Sequence, residues 1–382
     1  MKGSYKNKKV LIYREDLLPP SETFIASQGK CLSHYQCKFS GKSFKDNRLL
    51  DKSEALTMDE YIPKALKKFW NIPFKLFGLC PSGFEKELLN FSPSLVHIHF
   101  ANDATWFMPM NKKLNVPMVV TIHGYDILVK ETKGSLAYSI YQRRFQELLN
   151  YTNTFIAVSE FTKNKLIERG CHKDKIKVHY IGVDTDKFQR DKEILPEENS
   201  VLFVGRLVEK KGCKYLIEAI SKVQERIPNA NLTIIGDGPL RENLEQLASE
   251  KLKNYKFLGS QPPQEIKRHL NKTKVFCVPS IVADNGDAET FGIVFIEAQA
   301  MNVPVVSFKT GGIPEAVKDG TTGLLTEEKD IDGLASRIHK LLSDTNLWSR
   351  MSKESREYVE NNFNLQRQTQ KLETIYDEII SN

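Results

Sequence analysis

The sequence predicts an α/β protein built as two doubly wound halves, and three observations carry that prediction. Short apolar runs rich in β-branched residues recur with helix-length segments between them. The runs are continuously apolar rather than alternating, and one polar, proline-containing stretch divides them into two series. With 382 residues, 40% hydrophobic and 27% charged, the chain exceeds one typical domain and has the composition of a soluble globular protein.

In the first half the strand-like runs are Val10 to Tyr13, Leu95 to His99, Met118 to Ile122, Phe155 to Ser159 and Ile176 to Tyr180. The second half repeats the pattern at Val201 to Val204, Leu232 to Ile235, Lys256 to Leu258, Val275 to Val278 and Val305 to Phe308. Strands apolar along their whole length suit parallel sheets covered on both faces. The polar stretch from Gly182 to Ser200 contains a proline and separates the series. The expected organisation is therefore 1–183 as the N-terminal half, 184–199 as a linker, 200–360 as the C-terminal half and 361–382 as a terminal helix. Leu372, Ile375, Tyr376 and Ile379 give that helix one apolar face at i, i+3, i+4 and i+7, expected to pack back on the N-terminal half.

Composition narrows the function classes. The N-terminus is basic, but Val10 to Tyr13 is too short for a signal peptide, and no apolar run approaches membrane-spanning length. Six scattered cysteines without a Cys-x-x-Cys pair suggest reduced, cytosolic thiols rather than a disulfide framework or a zinc ribbon. A net charge of +7 supports an anionic partner, although a solvated basic surface explains it equally well. A nucleic-acid role has only that charge in its favour and ranks last. Residues 63–77 interleave Lys64, Lys67, Lys68 and Lys75 with Leu66, Phe69, Trp70, Phe74, Leu76 and Phe77. Such a segment suits peripheral contact with an anionic membrane, with Pro73 as a break; docking onto its own domain is the equal alternative.

Ligands of open α/β sheets lie beyond the carboxyl ends of the strands, where polar and glycine residues collect in this sequence. The clearest signal is the stretch from Glu289 to Glu315. Glu289 precedes a Phe291-Gly292 turn leading into Ile293, and Glu297 sits inside an apolar run with no basic residue within a helical turn. A carboxylate there needs partners, and a ligand's hydroxyl groups supply them. The helix start at the turn is a natural diphosphate site, with Glu289 facing a head group and Glu297 a ribose. The competing structural reading makes Glu289 a surface cap and Glu297 an acid satisfied by distant backbone. Gly205 and Arg206 directly follow a strand, where Arg206 and Lys211 can neutralise a leaving diphosphate; Lys210 is expected to be solvated. Gly311 and Gly312 permit close backbone approach.

His123 also ends a strand and precedes Gly124. His97 and His99 share a strand face and line the core unless they bind metal, for which no cysteine or third histidine is near in sequence. Asp184 and Asp186 read as turn residues.

Together these motifs resemble the retaining glycosyltransferases of family 4, whose signature is two glutamates in the spacing of Glu289 and Glu297. Gly205-Arg206, Lys211, Gly236-Asp237-Gly238-Pro239, Gly311-Gly312 and His123-Gly124 support it, and the resemblance covers nearly the whole chain. Pro20-Ser21-Glu22-Thr23-Phe24 and His123-Gly124-Tyr125-Asp126 look like members that build bacterial capsule or exopolysaccharide repeat units. The chain departs from relatives with a glycine-rich loop after the first strand, carrying Leu17-Leu18-Pro19-Pro20 there.

The resemblance implies a GT-B fold, two Rossmann-like domains facing across a cleft, with the acceptor on the N-terminal and a nucleotide-sugar donor, a UDP-sugar, on the C-terminal domain. It assigns catalytic roles to Arg206, Lys211, Glu289 and His123, and donor binding to Glu297, Gly205, Gly236, Gly238, Phe291, Gly292 and Ile293. It implies retention of configuration, no metal or other cofactor, no nucleic-acid partner and a lipid-linked glycan acceptor, in the cytoplasm or at the inner face of its membrane. A sugar-nucleotide epimerase and a non-catalytic two-domain sugar-binding protein are the alternatives.

Overall fold

In the computed structural model, seven parallel strands make the first sheet: β1 Lys8–Tyr13, β2 Tyr35–Gly41, β3 Ala55–Thr57, β4 Leu95–His99, β5 Met118–Ile122, β6 Thr154–Ala157 and β7 Ile176–Val178, in the order β3-β2-β1-β4-β5-β6-β7. Six parallel strands make the second: β8 Ser200–Val204, β9 Asn231–Ile235, β10 Tyr255–Phe257, β11 Val275–Cys277, β12 Val305–Phe308 and β13 Gly323–Thr326, in the order β10-β9-β8-β11-β12-β13. The structure describes residues 8–17, 19, 22–44, 50–67, 69–128, 136–191 and 193–381, with side chains at 52, 71, 76 and 136–138 excepted. Leu18, Pro20, Ser21 and Lys68, named above, lie outside the described residues.

Ten strands match the apolar runs to within two residues at either end. The unanticipated ones are β2, β3 and β13. YQCKFSG in β2 has exposed Gln36 and half-buried Cys37 and Lys38, while β3 is three residues long and β13 begins with glycine, so none reads as a continuous apolar run. Each pairs with the strand next to it in chain order.

The chain divides into two units, 1–182 with 365–382, and 183–364. Residues 184–199 are not a free linker: they pack within the second unit. Arg356 donates to the carbonyls of Thr185 and Phe188, and Arg190 donates to that of Asn271. Asp184 caps the amides of Asp186 and Lys187, as turn residues do. The C-terminal boundary differs as well. Thr345–Asn362 is a helix of the second unit, Val183 bridges Asn364, and a separate helix starts at Leu365.

That last helix, Leu365–Ser381, belongs to the first unit, where Leu372, Ile375 and Tyr376 join the core formed by Val10, Ile12, Phe39 and Val119. Polar staples fix it. The Glu373 carboxylate accepts the amides of Ser33 and His34, both at 2.7 Å, and Tyr35 donates its hydroxyl to Asp377 at 2.6 Å. No helix among the described residues is long and apolar enough to cross a membrane.

Candidate functional site

In the second unit the ends of β8, β9 and β11 bring distant glycine turns together. Gly205 donates to Ile235 and Leu207 to Asp237, tying the loops after β8 and β9 to each other, and Gly236 donates to Gly259 in the loop after β10. Gly236 has φ 142°, and a Cβ there would collide with the Gly205 carbonyl. Gly311, with φ 57°, likewise backs onto the carbonyl of Glu289, which accepts the Gly312 amide at 2.9 Å. The close approach that these glycines allow is thus to the neighbouring loop, holding Glu289 at the rim.

Glu289 is buried, and its carboxylate pairs with the Lys211 ammonium, itself only 14% exposed. Burial raises the Glu289 pKa, but Lys211 and then Lys210 outweigh it and hold the carboxyl below its ordinary value. It therefore stays ionised, so Glu289 is no surface cap. Lys210 is not solvated as expected: it pairs with Asp287 at 3.0 Å, making a second bridge between the same two loops. Arg206 contrasts with both. Its side chain is exposed and has no hydrogen bond or ion pair among the described residues.

Glycine 292, with φ 84°, starts the helix Ile293–Ala300 without a side-chain cap, so the positive end of the helix lies beside Glu289. Phe291 packs its ring on Phe363 at 5.2 Å, leaving only its backbone for a ligand. Ile293 and Glu297 are half-buried, so Glu289, not Glu297, is the more deeply buried acid. Burial nevertheless pushes Glu297 up to about 7, and Lys187, from the stretch expected to be a linker, opposes that rise. Gly205 and Gly238 are also half-buried at this rim.

The first unit builds its rim around His123. Asp126 accepts the amides of Gly124 and Ala101, each at 2.8 Å, clamping the turn after β5 to the helix Ala101–Leu114 after β4. Burial raises Asp126 to about 6 against these donors. Phe100 has φ 73°, an uncommon conformation for an aromatic residue, and its ring lies 4.5 Å from His123 and 4.4 Å from the Arg14 guanidinium. Arg14 is clasped by Glu22 through two nitrogens and by Asp103 at 2.6 Å. Burial raises Asp103 to about 6 despite Arg14. Burial lowers His123 to about 3, with Arg14 adding to the fall, and lowers His97 to about 3.

His97 and His99 are both buried, and the structure supplies the third histidine that sequence proximity lacked: His123 lies against His99. The two rings are hydrogen-bonded at 3.0 Å, and no group of three or more His, Cys, Asp or Glu among the described residues is placed to hold a metal.

Residues 63–77 divide between the two earlier readings. Phe74 is buried, whereas Phe69, Ile72 and Phe77 are 71%, 66% and 65% exposed. Pro73 does not break the helix Asn71–Phe77; at its third position no intrahelical N–H bond is required.

Arg14, Glu22, Asp103 and Asp287 were not anticipated as site residues. The strand-end rule that selected Arg206 also selects Arg14, immediately after β1. Nothing in the spacing marks Asp287 as the partner of Lys210.

Residues 184–358 match the family model of glycosyl transferases group 1, and residues 47–187 match that of Glycosyltransferase Family 4. Over 321 residues, 82% of this chain and 83% of the other, the sequence is 30% identical to an uncharacterized glycosyltransferase of Methanocaldococcus jannaschii. The chain belongs to the family 4 glycosyltransferases. This glycosyltransferase is also 31% identical, over 65% of its length, to the amylovoran biosynthesis glycosyltransferase AmsK of Erwinia amylovora; the match spans 60% of AmsK. Its fold is GT-B. The crystal structure of Anabaena Alr3699/HepE in complex with UDP and glucose aligns with a TM-score of 0.75 at 18% identity, covering 97% of this chain and all of that one.

Proposed function

We propose that this glycosyltransferase moves a sugar from a UDP-sugar to a lipid-linked glycan acceptor in capsule or exopolysaccharide synthesis, retaining anomeric configuration and needing no metal. The observation that carries the donor reading is the buried Lys211–Glu289 pair beside an uncapped helix start, with Arg206, unpaired among the described residues, at the end of the adjacent strand. Positive charge and a helix N-terminus suit a diphosphate, and an ionised Glu289 suits sugar hydroxyls. The amylovoran role of AmsK supports the pathway class, and the HepE complex supports UDP.

In this reading Arg206 and Lys211 stabilise charge developing on the departing diphosphate, together with backbone near Phe291 and Gly292. Glu297 accepts ribose hydroxyls, and Gly205, Gly236, Gly238 and Ile293 shape the donor's surroundings. His123 is assigned to the transferred sugar. The acceptor attacks from the face that the phosphate leaves, and the phosphate takes its proton, so neither glutamate serves as nucleophile or base. Exposed Phe69, Ile72 and Phe77 beside Lys64 and Lys67 support peripheral contact with an anionic membrane, where a lipid-linked acceptor resides.

Thermal unfolding with UDP, GDP, ADP or dTDP, with and without EDTA, tests the reading. UDP at about a hundred times its dissociation constant should add roughly 2.7 kcal/mol of stability, with or without EDTA. Glu297→Ala should lose most of that gain. An equal gain in the variant rejects the ribose assignment, loss of the gain with EDTA rejects metal independence, and no gain with any nucleotide favours the non-catalytic sugar-binding alternative.

A further inference from the structure

Three imidazoles stand in a row in the first unit, at the ends of β4 and β5. His97 and His99 are tilted by 30° with ring centroids 4.5 Å apart, and the His99 and His123 rings are near-parallel, 5.2 Å apart at 19°. His97 is anchored at both nitrogens: Nδ1 lies 2.5 Å from the Tyr376 hydroxyl and Nε2 lies 2.6 Å from the Thr121 hydroxyl. His99 Nδ1 meets His123 Nε2 at 3.0 Å. The middle ring is 1% exposed, yet its Nε2 has no hydrogen-bond partner among the described residues.

That unmatched nitrogen decides where the protons sit. Burial keeps all three rings neutral, with the charge of Arg14 reinforcing this at His99 and His123. Among the described residues the other charged or titratable groups around the rim are Glu22, Asp103 and Asp126, engaged as described above, and His179, which acts on His97. Each neutral ring carries one N–H, and the His99–His123 bond uses one proton. If His123 donated from Nε2, His99 would accept at Nδ1 and carry its own proton on Nε2, a buried N–H with no acceptor. If His99 donates from Nδ1, only a bare lone pair is left at its Nε2. Orphaned buried N–H groups are the rarer and costlier case, so the second arrangement is favoured.

We infer that His99 is a positioning residue that fixes His123 as the Nδ1–H tautomer, so that His123 is a hydrogen-bond donor and does not act as a base. With Nε2 accepting from His99 and Nδ1 protonated, His123 has no lone pair left to take a proton. Tyr376 and Thr121 hold His97, which backs the stack, so the C-terminal helix contributes to the same arrangement. The use of this donor in sugar transfer rests on the function proposed above; the tautomer does not.

The experiment is ring-nitrogen NMR on the full-length protein, 15N-labelled at histidine, at neutral pH without ligand, with His123 assigned through His123→Asn. His123 should show a bare Nε2 and a protonated Nδ1. His99→Phe, which keeps a ring in the row but removes the donor, should convert His123 to a tautomer mixture. His99→Asn, whose amide places a donor near the position of Nδ1, should restore the wild-type pattern. A protonated Nε2 on His123 in wild type overturns the inference, as does an unchanged pattern in a folded His99→Phe. If His99→Phe fails to fold, wild type and His99→Asn still decide. The expected tautomer together with unimpaired UDP-sugar turnover in His123→Asn would overturn the donor's role in transfer and leave the relay standing.

Discussion

At the end of β1, Arg14 is clasped by Glu22 and Asp103; at the end of β8, the corresponding third strand of the other sheet, Arg206 is exposed with no acid beside it among the described residues. Both arginines occupy the position where a doubly wound sheet presents its ligand. The first has its charge matched internally and serves to hold the loops around His123. The second is available to an incoming anion. Topology chooses the rim, but the acids that tertiary packing brings to each rim decide whether a cation there is structural or chemical.

Substitution of the two arginines separates these roles most sharply. Arg14→Ala leaves Glu22 and Asp103 as poorly exposed charges without their partner, and breaking such a cluster costs roughly 3–5 kcal/mol. Denaturant unfolding should show that loss. Arg206→Ala should leave stability within about 0.5 kcal/mol, while turnover with a UDP-sugar falls by a factor corresponding to roughly 3 kcal/mol of barrier. Comparable destabilisation by both variants would erase the distinction.

The two rims also respond oppositely to pH. His97 and His123, lowered to about 3 in the folded chain, contribute stability that is present above the ordinary histidine pKa of about 6.5 and lost as pH falls toward 3. Glu297, raised to about 7, contributes stability that is complete below the ordinary carboxylate range and lost as pH rises through 7. Melting temperatures of wild type and Glu297→Gln between pH 4.5 and 8 should diverge in slope, the variant lacking the decline toward neutrality. Parallel curves would show that Glu297 titrates normally.

The smallest expected effect concerns the exposed apolar residues of the first unit. Replacing Lys64 and Lys67 with Gln should weaken sedimentation with phosphatidylserine vesicles by about 1 kcal/mol for each charge. Replacing Phe69 and Ile72 with Ser should weaken it further, and unchanged sedimentation in both variants removes this segment as a membrane contact.

Much of this was legible in the residues alone. Continuous apolar runs such as Met118 to Ile122 declare buried parallel strands because both faces must be covered, and the glycine turn between Glu289 and Glu297 marks a helix start. The amphipathic period of the last helix likewise declares an apolar face. The short or polar strands β2, β3 and β13 were not legible, because none is a continuous apolar run and sheet pairing alone makes them strands. The partners of charge escaped because they lie far apart in the chain. Lys211 meets Glu289, Lys210 meets Asp287 and Arg14 meets Asp103 across 78, 77 and 89 positions of chain. Local sequence sets hydrophobic periodicity and turn chemistry, which act over a few residues; Coulombic and hydrogen-bond partners are chosen by proximity in space, and only the folded chain decides that.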